Sequence, residues 1–433
     1  MLVDSEQLLQ MMYELVLNRP CKACDQWTVI LKQVSTSGCS NSFLFKCTNS
    51  SCKWSYKFNS SGTYMQKVKE LPARLIASFI LSGLTYAQYE EVLHVMDLKL
   101  CSKETWSHIL NCINTAAKEL LNNYLSKNIT ACEDIPLLLS FDGAWSHRGW
   151  NANECVVAIF DHFTGSLLGI EVVIRKLPGD SYGNYEGASS QMEGEGLRRI
   201  CTKLKKQDLV VHGIVHDGDG TGLKIVQQYW PEAIEFNDPG HAAKNFRKAI
   251  IKLGQKFNGA KKLGEVCLRS FRWSIIHCEG SAKDFVKLMW QQYDHICNIS
   301  HNHCTHEKDY KPKAWKWVVD SETREALKKE FDAVVQYAEV YSKNYSSNVC
   351  EAFANCRTKF TDKRKNMRIM FKLGAIFTAL SYCDRREGHS NWKKVILENS
   401  GFAVSSKMVS NLEKEMQLTQ KEVHRYVKNI ILL

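Results

Sequence analysis

The sequence predicts a mixed α/β chain with a small cysteine-rich module at its front and a helical insertion in its core. Three observations carry this. Two close cysteine pairs, Cys21/Cys24 and Cys47/Cys52, bracket two strand-like runs. Residues 135–254 alternate apolar runs with amphipathic stretches in the order βββαβαβα. Residues 255–345 then read as helical, with no clear strand, before a last helix pair.

The elements follow in order. Residues 1–18 have the spacing of a short amphipathic helix. WTVILKQV and SFLFKC read as strands separated by Ser/Gly-rich turns. A module of about 38 residues is too small for a large core, so four thiolates closing a tetrahedron around zinc would staple it. The ligands expected are Cys21, Cys24, Cys47 and Cys52, with Cys39 as a competitor. ELPARLIASFILSGLTYAQYEEVLHVM gives two apolar faces broken near Gly83. SKETWSHILNCINTAAKELLNNYL follows, N-capped by Ser102, with Trp106, Ile109, Leu110 and Ile113 on one side. These helices fit a helix-turn-helix module or a plain helical domain.

IPLLLSFDG, ECVVAIFD and SLLGIEVVIRK read as consecutive antiparallel strands. SQMEGEGLRRICTKLKKQ is a helix, VVHGIVHDGDG a buried strand, GLKIVQQYW a helix, AIEFND a strand and HAAKNFRKAIIKL a helix. The expected division is 1–64 for the cysteine module, 65–132 for the helical domain and 133–254 for the first part of the core. An insertion covers 255–345, and 346–433 completes the core and ends in a helical tail.

Composition excludes several classes. The chain has 433 residues, 44% of them hydrophobic, with 7 prolines and 24 glycines, which is ordinary globular usage. No window approaches the ~18 consecutive apolar residues of a membrane span. Asp4 and Glu6 precede the first apolar stretch, unlike the basic start of a secretory signal. Seventeen cysteines, an odd number without such a signal, point to reduced thiols rather than a disulfide framework. The net charge of +11 permits a polyanionic partner. Basic clusters fall at Lys203–Lys206, Arg247–Lys252, Lys261–Lys262 and Lys359–Arg368.

The βββαβαβ order is the signature of a ribonuclease H-like core. Enzymes of that fold carry a carboxylate on the first strand, a second at the end of the fourth strand and a third on a later helix. Asp142 and Asp217 stand in the first two places. Phosphodiester cleavage needs an activated nucleophile and a sink for charge on the phosphate, which two Mg2+ ions about 4 Å apart supply. Mg2+ prefers carboxylate oxygen, so the site calls for Asp and Glu. A calcium loop starting at Asp217 is excluded because its fifth and twelfth positions are Thr221 and Gln228. Asp219 reads as a turn residue between Gly218 and Gly220 that braces the loop or caps the following helix. CNISHNHCTHE holds Cys297, His301, His303, Cys304 and His306, ligand types for a second zinc.

Taken together, LLLSFDGAWSHRGW, NYEGASSQMEGEGLRRI, VHDGDGTGL, FNDPGHAAKNF and NVCEAFANCRTKF resemble Mutator-like transposases, over roughly residues 15–400. The resemblance implies a metal-dependent DNA transposase of the DDE type, acting on double-stranded DNA (terminal repeats and target) in the nucleus, without a membrane, as a homo-oligomer. It implies Asp142, Asp217 and Glu351 as the catalytic, Mg2+- or Mn2+-binding acids, the last from the match of Asn348-x2-Glu351. It also implies that Asp238-x2-His241 supports the site, with a helix-capping pair as the plainer alternative. Two rival functions share these residues: a co-opted, catalytically silent zinc-dependent DNA-binding protein, and a nuclease on the same core.

Overall fold

The computed structural model describes residues 20–64, 68–133, 135–146, 152–179, 182–216, 221–253, 260–302, 321–361, 369–387, 391–412 and 414. The expected helix at 1–18 lies outside them. The chain forms two compact units, Met1–Tyr124 with Cys356–Leu433, and Leu125–Asn355. Among the described residues no helix is long and apolar enough to cross a membrane.

The first unit begins with an antiparallel sheet of β1 (Val29–Ser37), β2 (Ser40–Cys47) and β3 (Ser55–Asn59), with β2 in the middle. Phe43 and Phe45 are buried on one face against Val29, Leu31, Trp54 and Phe58, a small core as the module's length predicts. A hairpin of β4 (Thr63–Tyr64) and β5 (Val68–Lys69) leads into α1 (Glu70–Leu81), α2 (Tyr86–Val95) and α3 (Lys103–Thr130). Gly83 ends α1 at φ +79°, and a Cβ there would lie 2.8 Å from the Phe360 carbonyl oxygen. Thr85 then caps α2 through the Gln88 N–H, with the Gln88 side chain bonding back. The Ser102 hydroxyl accepts from the Thr105 N–H at 3.3 Å, the expected cap of α3.

Late residues complete this unit. α12 (Ile369–Glu387) and α13 (Trp392–Asn399) belong to it. The Tyr64 hydroxyl donates to the Ser400 carbonyl at 2.6 Å, and its ring stacks on Phe402 at 4.2 Å. Buried Asp384 accepts from the Tyr124 hydroxyl and the Trp392 N–H, both at 2.7 Å.

The second unit is built on a five-stranded sheet. It contains β6 (Leu137–Trp145), β7 (Glu154–Asp161), β8 (Leu167–Ile174), β9 (Val211–His216) and β10 (Ile234–Asn237), in the order β10-β9-β6-β7-β8. β6, β7 and β8 are an antiparallel meander, β9 runs parallel to β6, and β10 parallel to β9. The helices α4 (Met192–Lys205), α5 (Thr221–Gln227) and α6 (Pro239–Leu253) fall between and after the last strands, giving the predicted element order. α4 lies close on the sheet because Gly196 faces Val157 and Gly169 faces Ile200, with no room for a Cβ at either glycine. Leu137, Leu139, Phe141, Val157 and Ile159 are buried on that face.

The opposite face buries Leu138, Val215 and Phe236 against Val340 and Tyr345. The insertion supplies α7 (Ala260–His277), α8 (Ala282–Ile296), α9 (Ser321–Val335) and α10 (Ala338–Tyr341), which share with α6 a core centred on Phe246, Phe271, Phe285 and Phe331. α11 (Asn348–Arg357) follows.

Candidate active site and metal centre

Side chains alternate along a strand, so Leu138, Ser140 and Asp142 share one face of β6. Leu138 is buried there and Ser140 holds Nδ1 of His162 at 2.9 Å. Asp142, opposite Ala158 of β7, is exposed where that face opens. α11 lies against the same face: Phe353 packs edge-on against Phe160 at 5.5 Å, and Phe160 is the β7 partner of Ser140. Glu351 sits in the first turn of α11, exposed, two residues before that anchor. The structure thus brings the strand of Asp142 and the helix of Glu351 together. Asp217 and Asp219 lie outside the described residues, directly after β9, whose Val215 pairs with Ser140. The end of β9 is held by His216, which stacks on Phe141 at 5.5 Å and bonds to Glu235 of β10.

Asp238 explains how α11 is placed. Its Oδ2 accepts the Ser347 N–H and hydroxyl, both at 2.6 Å, one residue before α11. Its Oδ1 accepts the N–H groups of Gly240 (2.6 Å) and His241 (3.2 Å), closing the first turn of α6. Asp238 is 5% exposed. Burial alone would raise its carboxyl, but the bonds from Ser347, His241 and Gly240 outweigh it and hold the group below the ordinary value. Asp238 therefore joins the capping role open from the sequence to a second one, a clamp on the segment leading to Glu351. His241 stands 3.8 Å from Oδ2 through Nδ1. Nearby, Tyr345 packs on His162, Phe163 and Phe236 at 5.0–5.7 Å. Burial lowers His162, with Asp161 and Asp238 pulling the other way.

Sequence reasoning missed Glu193. A Cβ on Gly143 would fall 2.6 Å from the Glu193 carboxyl carbon, so that carboxylate, on the first turn of α4, covers the backbone beside Asp142. The glycine directly after Asp142 was the available signal. The basic clusters are also partly used within the protein. Lys203 pairs with Glu171, Lys205 lies over Trp230, and Arg247 Nε bonds Glu265 at 2.6 Å. Lys248 and Lys252 line a groove with Asn245 and Glu330.

The N-terminal cysteines do converge. The sulfurs of Cys21, Cys24, Cys47 and Cys52 all lie within 4.8 Å of one another, with Cys21–Cys52 and Cys24–Cys47 both at 3.7 Å. A tetrahedron with Zn–S bonds of about 2.3 Å has edges of about 3.8 Å, so the donor set and its spacing fit zinc. The Thr28 hydroxyl, 3.0 Å from Cys47, holds that thiol down to about 7. A backbone bond from Trp54 lowers Cys52, but desolvation and the three neighbouring sulfurs push it up to about 12. Four crowded sulfurs, whose thiolates would repel one another, suit a cation at their centre. Cys39, in the β1–β2 turn near Cys101, stays outside the tetrad.

Of the second cysteine–histidine group, Cys297 is buried in the insertion core, and burial pushes its thiol up to about 11. His301 bonds Asn298 at 2.7 Å and meets His295 edge-on. His303, Cys304 and His306 lie outside the described residues.

The five-stranded sheet thus carries Asp142 within β6, and a clamped helix after the long insertion carries Glu351. The family described as Mutator-like transposase matches residues 1–310, most of the chain, and the protein belongs to it. No curated protein matches. Among solved structures, the Drosophila P element transposase strand transfer complex is similar with a TM-score of 0.28 and 11% identity, over 71% of this chain and 91% of that one.

Proposed function

We propose that the protein is a DNA transposase with a ribonuclease H-like core. It would cleave DNA at transposon ends and join the freed 3′-hydroxyl to target DNA. Family membership supports the class. The observation that carries the residue assignment is the placement of α11 on the Asp142 face by Phe353 and the Asp238–Ser347 clamp.

Asp142, Asp217 and Glu351 would hold divalent ions, and an all-carboxylate donor set suits the hard Mg2+ or Mn2+. When bound, such ions lower the pKa of the attacking water or 3′-hydroxyl and take up charge on the phosphate oxygens. The chain's own part is to hold Asp142 within the β6–β7 ladder, to hold Glu351 opposite it, and to bind the phosphate backbone through its basic surface. Zinc at the four-cysteine cluster would stabilise the module that helps position element ends. Assembly as a homo-oligomer on DNA, in the nucleus, belongs to the same proposal.

The test is a cleavage and strand-transfer assay on element ends with Mg2+ or Mn2+, run beside Asp142→Asn. Cleavage with joining that the variant abolishes supports the proposal. Cleavage without joining supports a nuclease, and DNA binding without cleavage, independent of added Mg2+ or Mn2+, supports a co-opted zinc-dependent DNA-binding protein.

A further inference from the structure

Between Asp25 and Glu70 lie 44 residues without one carboxylate, carrying six lysines. At the chain's average of 46 acidic residues in 433, such a stretch would hold about five. The three-stranded sheet organises this charge. Lys32 of β1 stands opposite Leu44 of β2, and Leu44 opposite Lys57 of β3. In the neighbouring row Ile30 stands opposite Lys46, and Lys46 opposite Ser55. These six positions share one face, because Phe43, Phe45 and their partners take the other. Lys32, Lys46 and Lys57 are exposed, and Ile30 is 48% exposed among them. Among the described residues none of the three lysines is in an ion pair. Strands lie about 4.8 Å apart, so Lys32 and Lys57 are about 10 Å apart across β2, with Lys46 offset by one row.

We propose that this outer face, through Lys32, Lys46 and Lys57, contacts the phosphate backbone of double-stranded DNA without reading its sequence. The inference rests on the proposed transposase reading and names the surface by which the zinc module would engage DNA. Charge complementarity favours DNA on this face. Three point charges on flexible stems, in no ion pair among the described residues, suit a polyanion of regular charge spacing. An acidic protein partner would call for a cluster of apolar anchors at the centre, and the six paired positions of this face offer only Ile30 and the half-buried Leu44.

The experiment measures binding of the zinc-loaded full chain to two unrelated duplexes by fluorescence anisotropy across a salt series. The wild type is compared with Lys32→Gln/Lys46→Gln/Lys57→Gln and with the matching triple Arg variant. Removing one lysine–phosphate pair lowers the slope of log K against log salt by about 0.9, so the triple Gln variant should lose about 2.7 on both duplexes. The Arg variant should retain the slope. Zinc stoichiometry reports whether the module is intact. Should the triple variant lose zinc, Lys57→Gln alone should still lower the slope by about 0.9. Unchanged slopes in zinc-loaded variants overturn the inference, as does a loss confined to one duplex. Such a failure with cleavage and joining intact leaves the transposase reading standing. A lowered slope in a protein that never cleaves overturns that reading alone.

Discussion

Replacing Asp238 with Ala tests how the Glu351 helix is held. The substitution removes a buried carboxylate that accepts four hydrogen bonds, two from Ser347 and two from the first turn of α6. Losing the helix cap costs about 1 kcal/mol. Leaving the Ser347 N–H and hydroxyl buried without their charged acceptor costs about 1–3 kcal/mol for each group. These contributions together give a loss of about 3–7 kcal/mol, which urea unfolding would register. Ser347→Ala removes one of the four bonds and should cost about 1 kcal/mol.

The double variant should be clearly less destabilised than the sum, because both changes break one interaction. Since the Asp238 carboxyl is held below its ordinary value, its contribution is present above the unfolded pKa and disappears as pH falls through the folded one. Asp238→Asn should therefore flatten the acid limb of the stability profile. Strand cleavage should fall in Asp238→Ala under conditions where the protein remains folded. A loss below 1 kcal/mol for Asp238→Ala, or strict additivity with Ser347→Ala, would refute the clamp.

Three further outcomes follow from the geometry. Cys21→Ser or Cys52→Ser should remove the stoichiometric zinc that metal analysis finds in wild type, whereas Cys39→Ser should not, because its sulfur lies outside the tetrad. Gly143→Ala sets a Cβ against the Glu193 carboxyl and should cost about 1–3 kcal/mol in thermal or urea unfolding, and Glu193→Ala in the same chain should recover part of it. Asp217→Ala should reduce DNA cleavage far more than the ~100-fold typical of one acid–base group, with Asp219→Ala losing much less. Reversed ranks would place the motif one step out of register.

The sequence made some of this legible and hid the rest for physical reasons. Runs such as ECVVAIFD announce themselves because β7 is buried on both faces. The cysteine tetrad is legible because thiol pairs at strand ends have few other uses in a small module. Asp238 was visible as part of a spaced motif, but its clamp on Ser347 spans more than a hundred residues, and no local pattern encodes such a bond. The same holds for Tyr64 meeting Ser400 and Phe402, which joins the beginning and end of the chain in one unit. Glu193 was hidden beside Glu195 in QMEGEG, and its close approach to Gly143 shows where its carboxylate lies. Charge clusters read from sequence overstated the free basic surface, since Lys203 and Arg247 are neutralised by Glu171 and Glu265.

The central claim is that Asp142, Asp217 and Glu351 form one metal site. A crystal structure of the protein with Mn2+ and cleaved element-end DNA tests it most directly, through anomalous scattering. The account predicts manganese between the three carboxylates, with carboxylate oxygens at about 2.0–2.2 Å from the metal and the carboxylates within about 4–8 Å of one another. Manganese bound elsewhere, with Glu351 facing solvent away from Asp142, would contradict it.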